Sequence, residues 1–254
     1  MLAGLVRFDV HGELNLRVVT RSRLDFAMRR CRFVAWNEVT QMNHAATTLT
    51  QTELDDVAVR QDRADIRELL ENWVVWRDAG HWERFRSVWH SDGVMMATWF
   101  QGSFDDFIRV SKEGWEKGVS ILHFLGGMSI DLIGKRAIAQ TKMTISQRGK
   151  VEGELADIVC TGRFYDFLEK RDGRWGIVLR QPIYEKDTIS PVDPAARIML
   201  DKALLERFPV GYRHLAYVQT QIGYAVKPDM PGLKGPEVEA LYARGARWLA
   251  GESL

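Results

Sequence analysis

Two polar side chains stand among apolar neighbours. His123 interrupts the run Ile121-Leu-His-Phe-Leu, and Asp78 closes the hydrophobic segment Trp73-Val-Val-Trp-Arg-Asp. An imidazole is costly to bury unless both ring nitrogens find partners. A carboxylate at the end of a helix lies at the unfavourable pole of the macrodipole. Each residue has an ordinary reading, as a satisfied core histidine or a half-solvated helix-end carboxylate. Each also has a chemical one, as an acid–base group whose titration is tuned by burial.

Other chemistry is scarce. There is no Gly-x-Gly-x-x-Gly after a strand, no phosphate-binding Walker loop, no Gly-x-Ser-x-Gly elbow and no His-Glu-x-x-His. Gly126-Gly127 falls within a strand pattern, which favours a bulge or a close backbone approach over a phosphate cradle. The six histidines offer no pair at metal-ligand spacing, and His81 and His90 are expected to be exposed beside a short helix. Cys31 and Cys160 make neither a disulfide framework nor a Cys-x-x-Cys metal site, so a reducing cytoplasm is the expected compartment. With 46% hydrophobic and 27% charged residues and a net charge of +1, the chain gives no electrostatic reason to expect nucleic acid or an anionic membrane as partner. Nor does any apolar run approach the roughly 20 residues that span a bilayer. Nine tryptophans read as core residues or as the lining of an aromatic pocket.

The elements that would position Asp78 and His123 follow from periodicity. Residues 1 to about 50 are basic, without sustained period or clear caps, and are expected to be a poorly structured leader. They lack the order of a secretory signal. Leu54, Val57, Ile66, Leu69, Leu70, Trp73 and Val74 recur at helical spacing up to a stop at Ala79-Gly80. A short helix then places Trp82, Phe85, Val88 and Trp89 on one face and closes at Ser91-Asp-Gly. Val94 to Phe100 reads as a strand, and Ser103 with Asp105 and Asp106 as the N-cap of another helix. Strand patterns over 121–133, 137–147, 155–169 and 175–185 follow, the last two joined by the hairpin turn Arg171-Asp-Gly. After the linker Ser190-Pro-Val-Asp-Pro, residues 199–208, 212–224 and 237–250 look helical. The expectation is an α+β fold over 51–190, a curved sheet wrapped around helices, with a helical C-terminal extension over 191–254 packed on the same domain.

Across about residues 53–187 the sequence resembles the SnoaL-like branch of the nuclear-transport-factor-2-like superfamily, which includes scytalone dehydratase, a bile-acid dehydratase and hexachlorocyclohexane dehydrochlorinase. The resemblance rests on Ile66-x-x-Leu-Leu-x-x-Trp-x-x-Trp-Arg-Asp78-Ala-Gly-His-Trp-x-x-Phe-x-x-Val-Trp. Asp92-Gly-Val, the capped Gly102-Ser-Phe-Asp-Asp-Phe, Leu122-His123-Phe and Arg174-Trp-Gly-Ile-Val-Leu-Arg180 add to it. It implies a cone-shaped, cystatin-like mixed sheet. It also implies a dyad in which the carboxylate of Asp78 fixes the tautomer of His123 and stabilises its imidazolium, leaving the other nitrogen to move a proton. Arg180 matches an arginine that the dehydrochlorinase type carries on its last strand, where it would stabilise a leaving group or oxyanion; a cross-strand salt bridge is the plain alternative. Tyr165 and Tyr184 are candidate acids or positioning groups. At the position five before the aspartate, where some catalytic members have tyrosine or lysine, stands Trp73. Tryptophan does not donate a proton in the same way, which favours an aromatic ligand stacked on it.

Trp73, Trp99, Tyr165 and Tyr184 are therefore the expected substrate contacts, and His123, Asp78 and Arg180 the expected catalytic set, with no metal and no cofactor. The leading expectation is a lyase acting on a hydrophobic aromatic small molecule by dehydration, dehydrohalogenation or retro-aldol deformylation, a two-ring lignin-derived compound among the possible substrates. The alternatives are a non-catalytic ligand-binding protein or partner subunit of a ring-hydroxylating enzyme, and a ketosteroid-isomerase-like isomerase. A homo-oligomer, trimer or dimer, is expected, with the C-terminal helices capping the pocket or forming the interface.

Overall fold

The structure is a computed structural model and describes residues 50–254. The expectations for the leader and for Cys31 lie outside the described residues. Helix α1 (Gln51–Asp78) turns Ile66, Leu70, Trp73, Val74 and Arg77 to one buried face, the i, i+3, i+4, i+7 stripe of an amphipathic helix. It stops at Gly80, whose φ of +69° suits glycine. Helix α2 (Trp82–Arg86) leads into β1 (Trp89–Met96) and β2 (Gln101–Ser103). Ser103 then caps α3 (Phe104–Glu116), its Oγ accepting the amide of Asp106 at 3.2 Å, as its sequence context suggests. Four long strands follow: β3 (Ser120–Ile133), β4 (Arg136–Val151), β5 (Glu154–Arg171) and β6 (Arg174–Pro191). Three C-terminal helices end the chain: α4 (Lys202–Leu205), α5 (Arg213–Gln221) and α6 (Pro236–Leu249). No helix among the described residues is long and apolar enough to cross a membrane.

The six strands form one mixed sheet in the order β2-β1-β6-β5-β4-β3, antiparallel except for the parallel β1–β6 pair. Pleating sends alternate residues to opposite faces. One face carries Ala137, Ala139, Met143, Phe164, Leu168 and Tyr184 against α1, α3 and α5. The other carries Ile138, Tyr165, Phe167, Val178, Leu179 and Ile183 against Val238, Leu241 and Trp248 of α6. The sheet is therefore covered on both sides, with β2 and β3 as its edges. Bulges curve it. One falls between Leu125 and Met128, at the Gly126-Gly127 pair expected to mark one. Two more lie where β5 meets β6.

Several boundaries differ from the sequence reading. β1 starts at Trp89, which pairs with Ile177, and a bulge before Val94 absorbs Ser91-Asp92-Gly93, the tripeptide read as a helix end. His90, expected to be exposed, is buried: Nε2 bonds the carbonyl of Glu169 at 2.8 Å and Nδ1 meets Arg174 at 3.2 Å. β6 runs through Ser190-Pro191, because Ile189, Ser190 and Pro191 pair with β5. The helix expected over 199–208 shrinks to α4. Asp201 starts it by accepting the amides of Ala203 and Leu204, and Pro209 disfavours helical backbone at Phe208.

Beneath α1 lies a buried ion pair across β5 and β6. Arg180 Nε and Nη2 donate to the two carboxylate oxygens of Asp166 at 2.6 and 2.9 Å, with both side chains fully buried. The guanidinium packs against the rings of Trp73 and Phe164, 4.2 and 4.1 Å from their centroids. Burial pushes the Asp166 carboxyl up, and Arg180 opposes the shift. Removing one partner strands the other charge, whereas removing both does not. Arg180→Met is expected to lower stability by about 3–5 kcal/mol, and the double variant Arg180→Met/Asp166→Leu to recover most of it, both read from urea unfolding midpoints. At the second bulge a Cβ on Gly162 would lie 2.0 Å from the carbonyl oxygen of Ile183. Gly162→Ala is therefore expected to cost about 1–3 kcal/mol in the same measurement.

Candidate active site

The end of α1 meets the free edge of β3. There the Asp78 carboxylate collects three donors. Oδ2 accepts the backbone N–H of His123 at 2.6 Å, while Oδ1 accepts its ring Nδ1–H at 2.8 Å and Nη1 of Arg77 at 3.2 Å. With a carboxylate on Nδ1, the neutral ring carries its lone pair on Nε2. Nε2 has no hydrogen-bond partner among the described residues, and the ring lines an internal cavity. Burial holds the imidazole below the ordinary histidine range. Asp78 opposes this by hydrogen bond and charge, and Arg77 and Arg180 add to it. A base held neutral, with its conjugate acid stabilised by a fixed carboxylate, is suited to abstracting a proton.

The cavity has two compartments. The inner one, about 40 Å³, is lined by His123, Trp73, Phe107, Phe164, Tyr184 and Leu215 among others. The outer one, about 30 Å³, is lined by Val110, Ser111, Trp115, Ile222 and Tyr224. Arg77, Trp99, Ile121, Gln147 and Gln219 border both, forming a waist. At roughly 15 Å³ or less per enclosed water, each compartment has room for a few waters. Leu215 and Gln219 belong to α5, so the C-terminal extension supplies part of the cavity wall.

The expected site residues divide. His123 and Asp78 pair as anticipated, and Trp73, Trp99 and Tyr184 line the cavity. The Tyr184 hydroxyl accepts the Thr98 amide at 3.4 Å, and burial raises its pKa above the usual tyrosine value. Trp73 is only 1% exposed. It packs edge-on to His123 with ring centroids 5.4 Å apart, and Arg180 covers one face of its indole, so the expected stacking of a ligand on that face is corrected. Arg180 points to the same sheet face as His123 but lies outside the cavity lining, committed to Asp166; the geometry matches the salt-bridge alternative rather than an oxyanion group.

Tyr165 is a clear correction. One residue on from inward-facing Phe164, it points to the opposite face, packed on Phe167 and Tyr242 of the α6 layer. Burial there pushes its pKa up to about 12. The residues missed from sequence are Arg77, Gln147 and Gln219. Arg77 had a readable signal, since it extends the Ile66, Leu70, Trp73 stripe of α1 by one further turn.

Comparison with known proteins gives a domain match and several relatives. The SnoaL-like domain family matches residues 58–181. Pea pathogenicity protein 2 of Fusarium vanettenii is 38% identical over 204 residues, covering 76% of this chain and 88% of that protein. A protein of Emericella nidulans is 36% identical over 209 residues, with the same coverage of each chain. Among solved structures, an NTF2-like protein with a cystatin-like fold from Novosphingobium aromaticivorans is similar at a TM-score of 0.42 and 20% identity, covering 59% of this chain and 95% of that one. The domain match and the relative, 38% identical over most of its length, agree: the chain belongs to the SnoaL-like family.

Proposed function

We propose that this protein is a cofactor-independent lyase that uses His123 and Asp78 to eliminate a small leaving group from an apolar aromatic molecule. The observation that carries this reading is the free Nε2 of His123, turned to an aromatic-lined cavity while Nδ1 is held by Asp78 at 2.8 Å. In such an elimination Nε2 takes a proton from carbon, and the C–H electron pair becomes the new C=C bond. The bond to the leaving group then breaks, and in a dehydration the imidazolium returns its proton to the departing hydroxide as water. Asp78 stabilises the imidazolium between these steps.

The test is a screen of aromatic alcohols and related elimination substrates against the purified protein without added cofactor, with products detected by mass spectrometry. On the substrate found, His123→Ala is expected to lower kcat by about 10²–10⁴-fold; full turnover by that variant would overturn the dyad. Protonation of Nε2 abolishes its basicity, so kcat/KM should fall on the acid side, with a limb below the ordinary histidine range because burial depresses the pKa. Asp78→Asn removes the negative charge and leaves at most a neutral, weaker acceptor for Nδ1–H, so both effects by which Asp78 raises that pKa are reduced. The variant should therefore show both a lower kcat and an acid limb moved to lower pH.

A further inference from the structure

The waist between the compartments is polar where the rest of the cavity is largely apolar. Of its five side chains four carry hydrogen-bond donors, the indole of Trp99 and three guanidinium or amide groups: Arg77 from α1, Gln147 from β4 and Gln219 from α5. Arg77 is only 7% exposed, and its charge is answered at one corner alone. Nη1 reaches Asp78 at 3.2 Å and the carbonyl of Ile121 at 3.5 Å, the latter at the limit of a hydrogen bond, while the buried Nε has no partner among the described residues. The Gln147 side chain makes no hydrogen bond among the described residues, although it is only 6% exposed. Gln219 uses its amide oxygen on Thr98 Oγ1 at 2.7 Å, which leaves its NH2 group as a donor. Buried donors without acceptors are uncommon, because each costs about 1–3 kcal/mol.

Gln147 faces Ile121 across the β3–β4 ladder, as Ile145 faces His123, so it stands one inward position along from the base. We propose that Arg77, Gln147 and Gln219 form a subsite for an acceptor oxygen of the substrate, a conjugated carbonyl or a phenolate. This rests on the lyase reading and narrows it: the substrate is an aromatic compound whose oxygen is conjugated with the carbon that His123 deprotonates. As that C–H bond breaks, negative charge moves onto the oxygen, where a guanidinium and two amides meet it in a water-poor site. The assignment gives Arg77 the charge-stabilising part that Arg180, held by Asp166, leaves open. A ring enters only if the waist widens. It is bounded by the loop carrying Trp99 and by α5, both outside the β3–β4–β5–β6 ladder.

The test is a binding measurement, independent of turnover. The full chain is titrated at mildly alkaline pH with 4-nitrophenolate, followed by its visible absorption, and with the neutral isostere 4-nitrotoluene by calorimetry. The expected result is a preference for the phenolate of about ten- to hundred-fold, the range for hydrogen bonds to charged groups. Arg77→Met should abolish most of that preference. Gln147→Leu, which breaks no bond among the described residues, should weaken it about two- to tenfold. His123→Ala should keep it, so failure of the dyad and failure of this subsite give different patterns. Absence of a phenolate preference in the parent protein, or a folded Arg77→Met variant that retains it, would overturn the proposal. Where Arg77→Met unfolds, Gln147→Leu decides: an unchanged preference counts against the subsite and a weakened one supports it.

Discussion

The site depends on how the end of α1 meets the open edge of β3. An edge strand presents backbone groups that no neighbour pairs, and here side chains of the helix take them up. Arg63 donates to the carbonyl of Ile130 at 2.8 Å, Arg77 reaches that of Ile121, and Asp78 accepts the amide of His123. The Gly126-Gly127 bulge lies between these contacts, keeping Ile121, His123 and Leu125 on the same face as Met128 and Ile130. The carboxylate is thus a structural joint before it is anything else. Because its other oxygen holds Nδ1, the joint also fixes the tautomer and direction of the imidazole. Position and protonation state are set by one group.

A second pair shows why geometry alone does not make a dyad catalytic. Asp187 accepts the amide of His214 at 2.6 Å and its Nδ1 at 2.8 Å, the same two contacts at the same lengths. It also takes the amide of Leu215, so its work is to pin the first turn of α5 to β6. The His214 ring borders neither compartment, and its side chain is 23% exposed against 8% for His123. Cavity access and desolvation separate the two, since only a base shielded from water gains from a fixed carboxylate during proton transfer.

This difference also explains what was legible in the sequence. Asp78 and His123 could be found because they break apolar patterns, and the long strands because alternation and the Asp172-Gly173 turn mark them. The φ values of +51° and +80° at that turn bear out its reading. Partner choice within a face was hidden. Nothing local distinguishes an arginine that meets substrate from one that meets Asp166, fourteen residues earlier on the neighbouring strand. Tyr165 was misplaced because β5 has apolar residues on both faces, since α6 covers the side that alternation would otherwise leave polar. His90 was misplaced for a related reason: its ring is held by the carbonyl of Glu169, a contact 79 residues away in sequence.

The cavity draws on parts with different standing in the family. Asp78, His123, Trp73 and Phe164 lie within residues 58–181, where the SnoaL-like match falls, but Leu215, Gln219, Ile222 and Tyr224 lie beyond it. The matched part contains His123, its carboxylate partner Asp78 and the floor of the cavity. The extension supplies part of the inner wall, one polar group of the waist and the far side of the outer compartment. It is anchored twice over, through Asp187 at the start of α5 and through the backbone N–H of Lys227, which donates to the carbonyl of Thr98 at 2.9 Å. The SnoaL-like match therefore covers the His123–Asp78 pair but not the part of the cavity wall that α5 supplies. The extension closes over this pair where Gln219 lines the cavity with Arg77 and where Tyr224 packs on Trp99 with ring centroids 5.0 Å apart, so the shape of the cavity is set jointly by the matched part and the extension.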